Sequence, residues 1–407
     1  MNILHIIGGD LNGGAARGAY WLHLGLKKLE VDSKIFTNSK ITLDDDSVIT
    51  TIKTKKDKAF NIVRAQLDNL LLMFYNQKKR IIFSSGVFGI DFTKTKEYKE
   101  ADIIHLHWIN AGFVNIKHLK KIDKPIIWTM RDMWPLTGGC HFSIDCDRYK
   151  VGCGYCQQLK SNSSFDLSKM VVNRKKKYIP KSIKLVGISN WLTECAKESF
   201  VFKNFDITTI HNNINANDFK PIQKSIARDI LGLPQNKKII LAGAQNFDFY
   251  KGFDKLLAAY NKLSKDYFLL FFGNIDNRLV NKLGFEYKSL GFLADIVSMR
   301  LAYSSADIFV APSLIDAFGK TLAESMSCKT PVVCFDATGP KDIVTHKKDG
   351  YKAKPFDSDD LVKGIEWILE NEERYQELCS AAREKVVTKF DSKKVAKQYI
   401  ELYQSLV

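Results

Sequence analysis

The run ADIFVAPSLIDAFGKTLAESMSCKTPVVCF, Ala306–Phe335, decides the fold. Its first segment, ADIFVAP, is apolar enough for a strand buried on both faces, and PVVCF at its far end repeats the pattern. Between them, Gly319 and Lys320 open a stretch of helical spacing that carries Glu324. Strand, helix and strand in that order make the βαβ unit of a parallel sheet. Ligands of such sheets bind at the carboxyl ends of the strands, where helix N-termini present free N–H groups. Asp316 stands on that turn, and the N–H groups of Lys320, Thr321 and Leu322 are placed to favour phosphate oxygens. Glu324, in the same helix, can accept two hydrogen bonds from a vicinal diol such as a ribose. Acid, glycine turn and glutamate on one joint suit a nucleotide sugar; the alternative is an ordinary junction in which Asp316 caps the helix.

Outward from this run, strands alternate with helical patterns twice. ILHII (3–7), SKIFT (33–37), ADIIHLHW (101–108), PIIWTM (125–130) and LVGIS (185–189) read as strands of a first half. AYWLHLGLKKL and AFNIVRAQLDNLLLMFY, the latter running towards the basic Lys78-Lys79-Arg80, read as helices between them, and the polar residues 41–57 as a loop. VNIKHLKKI reads as a short helix. After the connector DFKPIQ (218–223), KIILAGA (238–244), YFLLFFG (267–273) and YKSLGF (287–292) begin a second series. The predicted class is α/β with two doubly wound domains, residues 1–215 and 216–390. The first carries a Cys-rich insertion at 133–165, and the final helix, 391–407, is expected to pack back on it.

Charge and composition narrow the function. Hydrophobic residues make up 45% of the chain, ordinary for a soluble protein. No apolar run approaches the roughly 20 residues that span a bilayer. MNILHIIGG lacks the basic start of a signal peptide, so a cytoplasmic chain is expected. The net charge is +16, unevenly spread: residues 1–214 hold 33 Lys and Arg against 20 Asp and Glu, or +13, and the rest 28 against 25, or +3. A basic half suits nucleic acid, an anionic membrane surface or phosphorylated substrates, and the bland alternative is lysine used for solubility. No base-stacking or helix-turn-helix pattern accompanies the charge, so no nucleic-acid partner is expected.

Other residues carry candidate chemistry. Gly13 and Gly14 lie between the first strand and its helix, where bare backbone can approach a ligand. Their spacing fits neither a dinucleotide fingerprint nor a P-loop. Lys251 opens the helix after KIILAGA and can pair with a diphosphate. His105 and His107 flank Leu106, are expected on opposite faces of their strand, and so are not expected to share a metal. Arg131 and Asp132 end the next strand. Cys140, Cys146, Cys153 and Cys156 fall in one loop. They read either as a structural zinc site, with His141 as a substitute ligand, or as free thiols; four thiolates would leave no open position for catalysis.

Taken together these residues resemble the GT-B-fold retaining glycosyltransferases of family four, the Glu-x7-Glu type. MRDMWPLTGGCHF and CGYCQQL, within residues 130–159, resemble the branch that builds bacterial exopolysaccharides and O-antigens such as colanic acid. The resemblance implies two Rossmann-like domains facing a central cleft, the first on the acceptor side and the second holding the donor. It implies transfer, with retention, from a nucleoside diphosphate sugar to a growing surface polysaccharide. The implied acceptor is lipid-diphosphate-linked or an oligosaccharide, met in peripheral contact with the anionic inner membrane surface. No divalent cation is required. Glu324 takes the place of the ribose-binding Glu, and Asp316 that of the first Glu, one methylene shorter. Lys251 matches the diphosphate lysine, whose usual arginine neighbour is absent, with Gln245 nearby. Gly13 and Gly14 match the glycine loop beside donor and acceptor, and Asn212-Asn213-Ile214-Asn215 the segment before the interdomain crossing. Arg131 stands where many relatives have His, and with Asp132 and His107 is placed on the acceptor side. Another GT-B enzyme, such as a nucleotide-sugar epimerase, and a zinc-bearing nucleic-acid-binding protein are the alternatives.

Overall fold

Seven short strands pair in parallel in the first of two units, Met1–Asn213 with Ser392–Val407. They are β1 (Asn2–Ile6), β2 (Asp32–Thr37), β3 (Val48–Thr50), β4 (Ile103–Leu106), β5 (Ile126–Met130), β6 (Lys184–Gly187) and β7 (Ile207–Thr209), in the order β3-β2-β1-β4-β5-β6-β7. This computed structural model describes residues 1–11, 13–39, 45–76, 82–246 and 249–407, with the side chains of 245, 246, 277 and 279 also outside the description. The strand order reverses between β1 and β4, the switch point at which doubly wound sheets bind ligands. Helices cover both faces, which is why β4 and β5 are wholly buried and mostly apolar, His105 and Thr129 being the exceptions.

Two helices of this unit matter below. α1 (Gly14–Lys27) lays Leu22 and Leu26 on Ile3, Ile103 and Ile127. α2 (Lys55–Leu70) starts with a capping box between Thr54 and Asp57. The last helix, Ser392–Gln404, belongs to this unit and adds Val395, Ala396, Tyr399 and Tyr403 to the same cluster. Gly25 lets it lie close to α1: a Cβ there would come within 2.8 Å of the Ser392 carbonyl oxygen.

The second unit, Ile214–Asp391, repeats the architecture. Its strands are β8 (Ile239–Asn246), β9 (Phe268–Asn274), β10 (Tyr287–Ser289), β11 (Ile308–Ala311), β12 (Val332–Phe335) and β13 (Gly350–Ala353), all parallel in the order β10-β9-β8-β11-β12-β13. Ile240, Leu269, Ile308 and Val333 line one face over Leu256, Tyr260, Ile365 and Ile368. Here the switch point lies between β8 and β11.

The α/β class with two doubly wound domains is the fold observed. Some local readings are corrected. Residues 41–57 are not loop throughout: β3 forms at Val48–Thr50 and α2 starts at Lys55, while 41–44 lie outside the described residues, as does the basic cluster 78–80. β13 went unread. Both strands are sheet edges of three or four residues, too short for a period to show. VNIKHLKKI is a 3₁₀ turn, Ile116–Lys121, not an α-helix.

Candidate active site

In the second unit the loops leaving β8 and β11 are zipped together. The N–H groups of Leu314 and Ile315 both donate to the carbonyl oxygen of Tyr250, at 2.8 and 3.3 Å. Gly252 allows this contact, with φ +66 and a backbone so close to Pro312 that a Cβ would sit 1.9 Å from its carbonyl oxygen. The zipper sets Lys251 Nζ against Asp316 Oδ2 at 2.5 Å. The other carboxylate oxygen of Asp316 accepts the N–H groups of Phe318 (3.2 Å) and Gly319 (3.0 Å). Asp316 therefore fixes the loop before the helix Lys320–Ser327 and leaves the helix itself without a side-chain cap. Burial works against its charge, but Lys251 and the two N–H donors outweigh it, and the carboxyl is held below its ordinary value.

That helix follows Gly319, left-handed at φ +96, and has no side-chain cap at its N-terminal end. Of the three N–H groups expected to meet a phosphate, that of Leu322 donates instead to the Gly319 carbonyl oxygen at 3.0 Å. Lys320 stretches along the helix to within 3.9 Å of Glu324 Oε1. Glu324 is 2% exposed and accepts from the Tyr303 hydroxyl at 3.0 Å. Lys251, Lys320, Asp316 and Glu324 cancel in charge, so the positive potential available to an anion is that of the helix end. Gln245 lies on β8, with its side chain outside the described residues.

In the first unit, Gly13 and Gly14 start α1 at the switch point. Both are exposed, neither has positive φ, and a Cβ at either would meet nothing within 4 Å. The fold itself places no demand for glycine there.

His105 and His107 share a face, contrary to the expectation, because residues two apart in a strand point the same way. Their rings are 4.1 Å apart. With His5 they gather ligand atoms within 4.8 Å. They form a hydrogen-bonded rack: His105 reaches the Tyr403 hydroxyl and Thr129 Oγ1, both at 2.7 Å, and His107 Nε2 reaches His5 Nδ1 at 2.9 Å. Arg131, 7% exposed, donates from Nη1 to Asn212 Oδ1 (2.6 Å) and from Nη2 to His107 Nδ1 (3.3 Å). Its charge beside the imidazoles, with both nitrogens of His105 occupied, disfavours a cation. Burial lowers the Arg131 guanidinium itself to about 10.

Asp132 turns the other way. Its carboxylate accepts from Trp134 N (2.9 Å), Trp108 Nε1 (3.0 Å) and His141 Nδ1 (2.7 Å), and His141 Nε2 meets Ser84 Oγ at 3.0 Å. Both nitrogens of His141 are thus engaged, which removes it as a zinc ligand. The four loop cysteines are free thiols, Cys156 buried and Cys140, Cys146 and Cys153 half-buried. Among the described residues they form no group of three sulfurs within 4.8 Å. Sequence reasoning missed Tyr303 as the partner of Glu324 and Asn212 as the partner of Arg131, although Asn212 lies in the segment read before the interdomain crossing. Gly252 left a signal, as a glycine opening a helix.

Residues 223–385, within the second unit, match the family described as Glycosyl transferases group 1. An uncharacterized glycosyltransferase of Methanocaldococcus jannaschii is 25% identical over 336 residues, covering 78% of this chain and 77% of that one. Among solved structures, sucrose-phosphate synthase of Thermosynechococcus elongatus is similar with a TM-score of 0.73 at 19% identity, over 100% of this chain and 99% of that one. Anabaena HepE in complex with UDP-glucose is similar with a TM-score of 0.69 at 18% identity, over 100% of both chains. At these identities the structural likeness establishes the fold, GT-B.

Proposed function

We propose that this chain, whose residues 223–385 match the group 1 glycosyl transferases, moves a sugar, with retention, from a nucleoside diphosphate sugar to a growing surface polysaccharide on a lipid-linked or oligosaccharide acceptor. The observation that carries the reading is the Lys251–Asp316 pair at the β8/β11 switch point, beside an uncapped helix N-terminus. The bond from the anomeric carbon to the β-phosphate oxygen breaks, and its electrons stay on that oxygen. Lys251 and the helix end stabilise the charge, and the acceptor hydroxyl bonds to the same face of the carbon as its proton passes to a phosphate oxygen. Asp316 stays anchored through Oδ1 while Oδ2 gives up Lys251 to the diphosphate. Glu324 takes the ribose diol, and Gly13 and Gly14 leave their loop bare for sugar or acceptor. Arg131, Asp132 and His107 shape the acceptor side from within the unit.

Calorimetry with UDP, GDP and ADP tests the donor site. At least one is expected to bind, and Glu324→Gln to weaken it by about 10- to 100-fold, since hydrogen bonds to a charged acceptor contribute roughly 1.5–3 kcal/mol each. The ligand-free melting temperature should hold, because the amide keeps an oxygen for Tyr303. Binding of none of the three, or unchanged affinity in Glu324→Gln, would overturn the assignment.

No metal takes part in this chemistry, and Cys140, Cys146, Cys153 and Cys156 serve as packed thiols. Purified protein is expected to carry well below one zinc per chain and to keep its activity in EDTA. Stoichiometric zinc whose removal melts the first unit would reverse this reading.

A further inference from the structure

α2 turns the usual polarity of a surface helix inside out. The side chains it buries are Arg64 and Asp68. Arg64 Nε donates to the Gly112 carbonyl oxygen at 2.5 Å, and Asp68 Oδ1 accepts from the Ser85 hydroxyl (2.6 Å) and the Val87 N–H (3.1 Å). Polar bonds thus hold the helix to the unit while its apolar residues point away. Phe60, Val63, Leu67 and Leu70 recur at three- and four-residue steps, and Phe74, in the 3₁₀ turn that continues the helix, extends the stripe. All are exposed, Phe60 to 67% and Phe74 to 81%. A contiguous exposed stripe of this kind marks a docking surface.

Charge selects the occupant. Lys53, Lys55, Lys56 and Lys58 lie exposed at the start of the helix, and the one acid between Lys53 and Leu67, Asp57, is occupied by the backbone N–H groups of Lys53 and Thr54. In sequence, Lys78-Lys79-Arg80 follow soon after Phe74. A second copy would bring two chains of net charge +16 together; an anionic bilayer is complementary to both stripe and charge. We propose that α2 and the turn after it dock on an anionic lipid surface, the stripe at the headgroup–acyl boundary and the lysines on the headgroups. This stands apart from the donor-site reading, and each can fail alone.

Co-sedimentation tests it with vesicles of phosphatidylglycerol and phosphatidylethanolamine against pure phosphatidylcholine. Wild type should bind the anionic vesicles at least tenfold more tightly, and less so as salt rises. Phe60→Ser/Leu67→Ser/Phe74→Ser and Lys55→Glu/Lys56→Glu/Lys58→Glu should each lose at least tenfold, with circular dichroism, melting and nucleotide binding unchanged. Absence of vesicle binding, or equal binding by the serine variant, sinks the proposal. So does a wild-type dimer in light scattering that the serine variant makes monomeric, since the stripe would then belong to a second copy.

Discussion

Lys251→Ala is expected to slow sugar transfer by about 10²–10³-fold, the usual effect of removing one preorganised donor from a site of developing negative charge. The reason for a large effect lies in the local balance. Two cations face two carboxylates in the described site, so losing Lys251 leaves Asp316 repelling the diphosphate. The fold should barely notice: the pair is partly exposed, at 28% and 21% of the two side chains, and such pairs contribute about 0–1 kcal/mol. Two variants of Asp316 separate its roles. Asn keeps an oxygen for the N–H groups of Phe318 and Gly319 and removes the charge; Ala removes both. Asp316→Asn should therefore melt like wild type but transfer poorly, while Asp316→Ala also loses roughly 1–3 kcal/mol of stability from stranded donors. Adding Asp316→Asn to Lys251→Ala should recover part of the lost donor affinity, because it removes the repulsion. Nucleoside diphosphate release and nucleotide affinity, measured across this cycle, are the checks. Wild-type turnover in Lys251→Ala would remove Lys251 from the chemistry.

What was legible in the chain follows from how far each signal travels along it. β11, its turn and the helix after it could be read because they are contiguous and their apolar runs are long enough to show a period. Lys251 and Asp316 could each be placed at a strand end by the same local logic. Their contact could not, since it depends on Gly252 packing under Pro312, 60 residues away in sequence. Tyr303 gave no signal at all: a tyrosine on an apolar helical face reads as core, and that it holds Glu324 is a tertiary fact. β3 and β13 were lost to brevity. The histidines are a different kind of miss, because their two-residue spacing already put them on one face and was misread. Recognising that Asp132 partners His141 required knowing that the Cys-rich segment folds back on the end of β5.

Acid should destabilise the first unit far more than its surface charges would suggest. Arg131 donates to His107 Nδ1, which makes that nitrogen an acceptor and places the His107 proton on Nε2, facing His5 Nδ1. Neither imidazole can gain a second proton without losing a hydrogen bond or meeting the guanidinium. Burial is the leading cause that holds His5, His105 and His107 well below the ordinary 6.5, and their mutual charges and Arg131 add to it. Nearby His23 is lowered to about 4, again chiefly by burial. The folded unit keeps these rings neutral while the unfolded chain protonates them below 6.5. The stabilisation is therefore complete above that pH and is lost as pH falls through it. Between pH 7 and 5.5 each ring costs on the order of 1 kcal/mol, so the rack and His23 together cost a few kcal/mol, a sizeable share of a typical domain's roughly 5–15. Five of the six tryptophans lie in this unit, so urea melts followed by their fluorescence report on it directly. Stability that stays flat from pH 7 to 5.5 would show that the rings take up protons in the fold as readily as in the unfolded chain. A slope that falls by about one proton in His107→Gln would assign the loss to these rings rather than to the carboxylates.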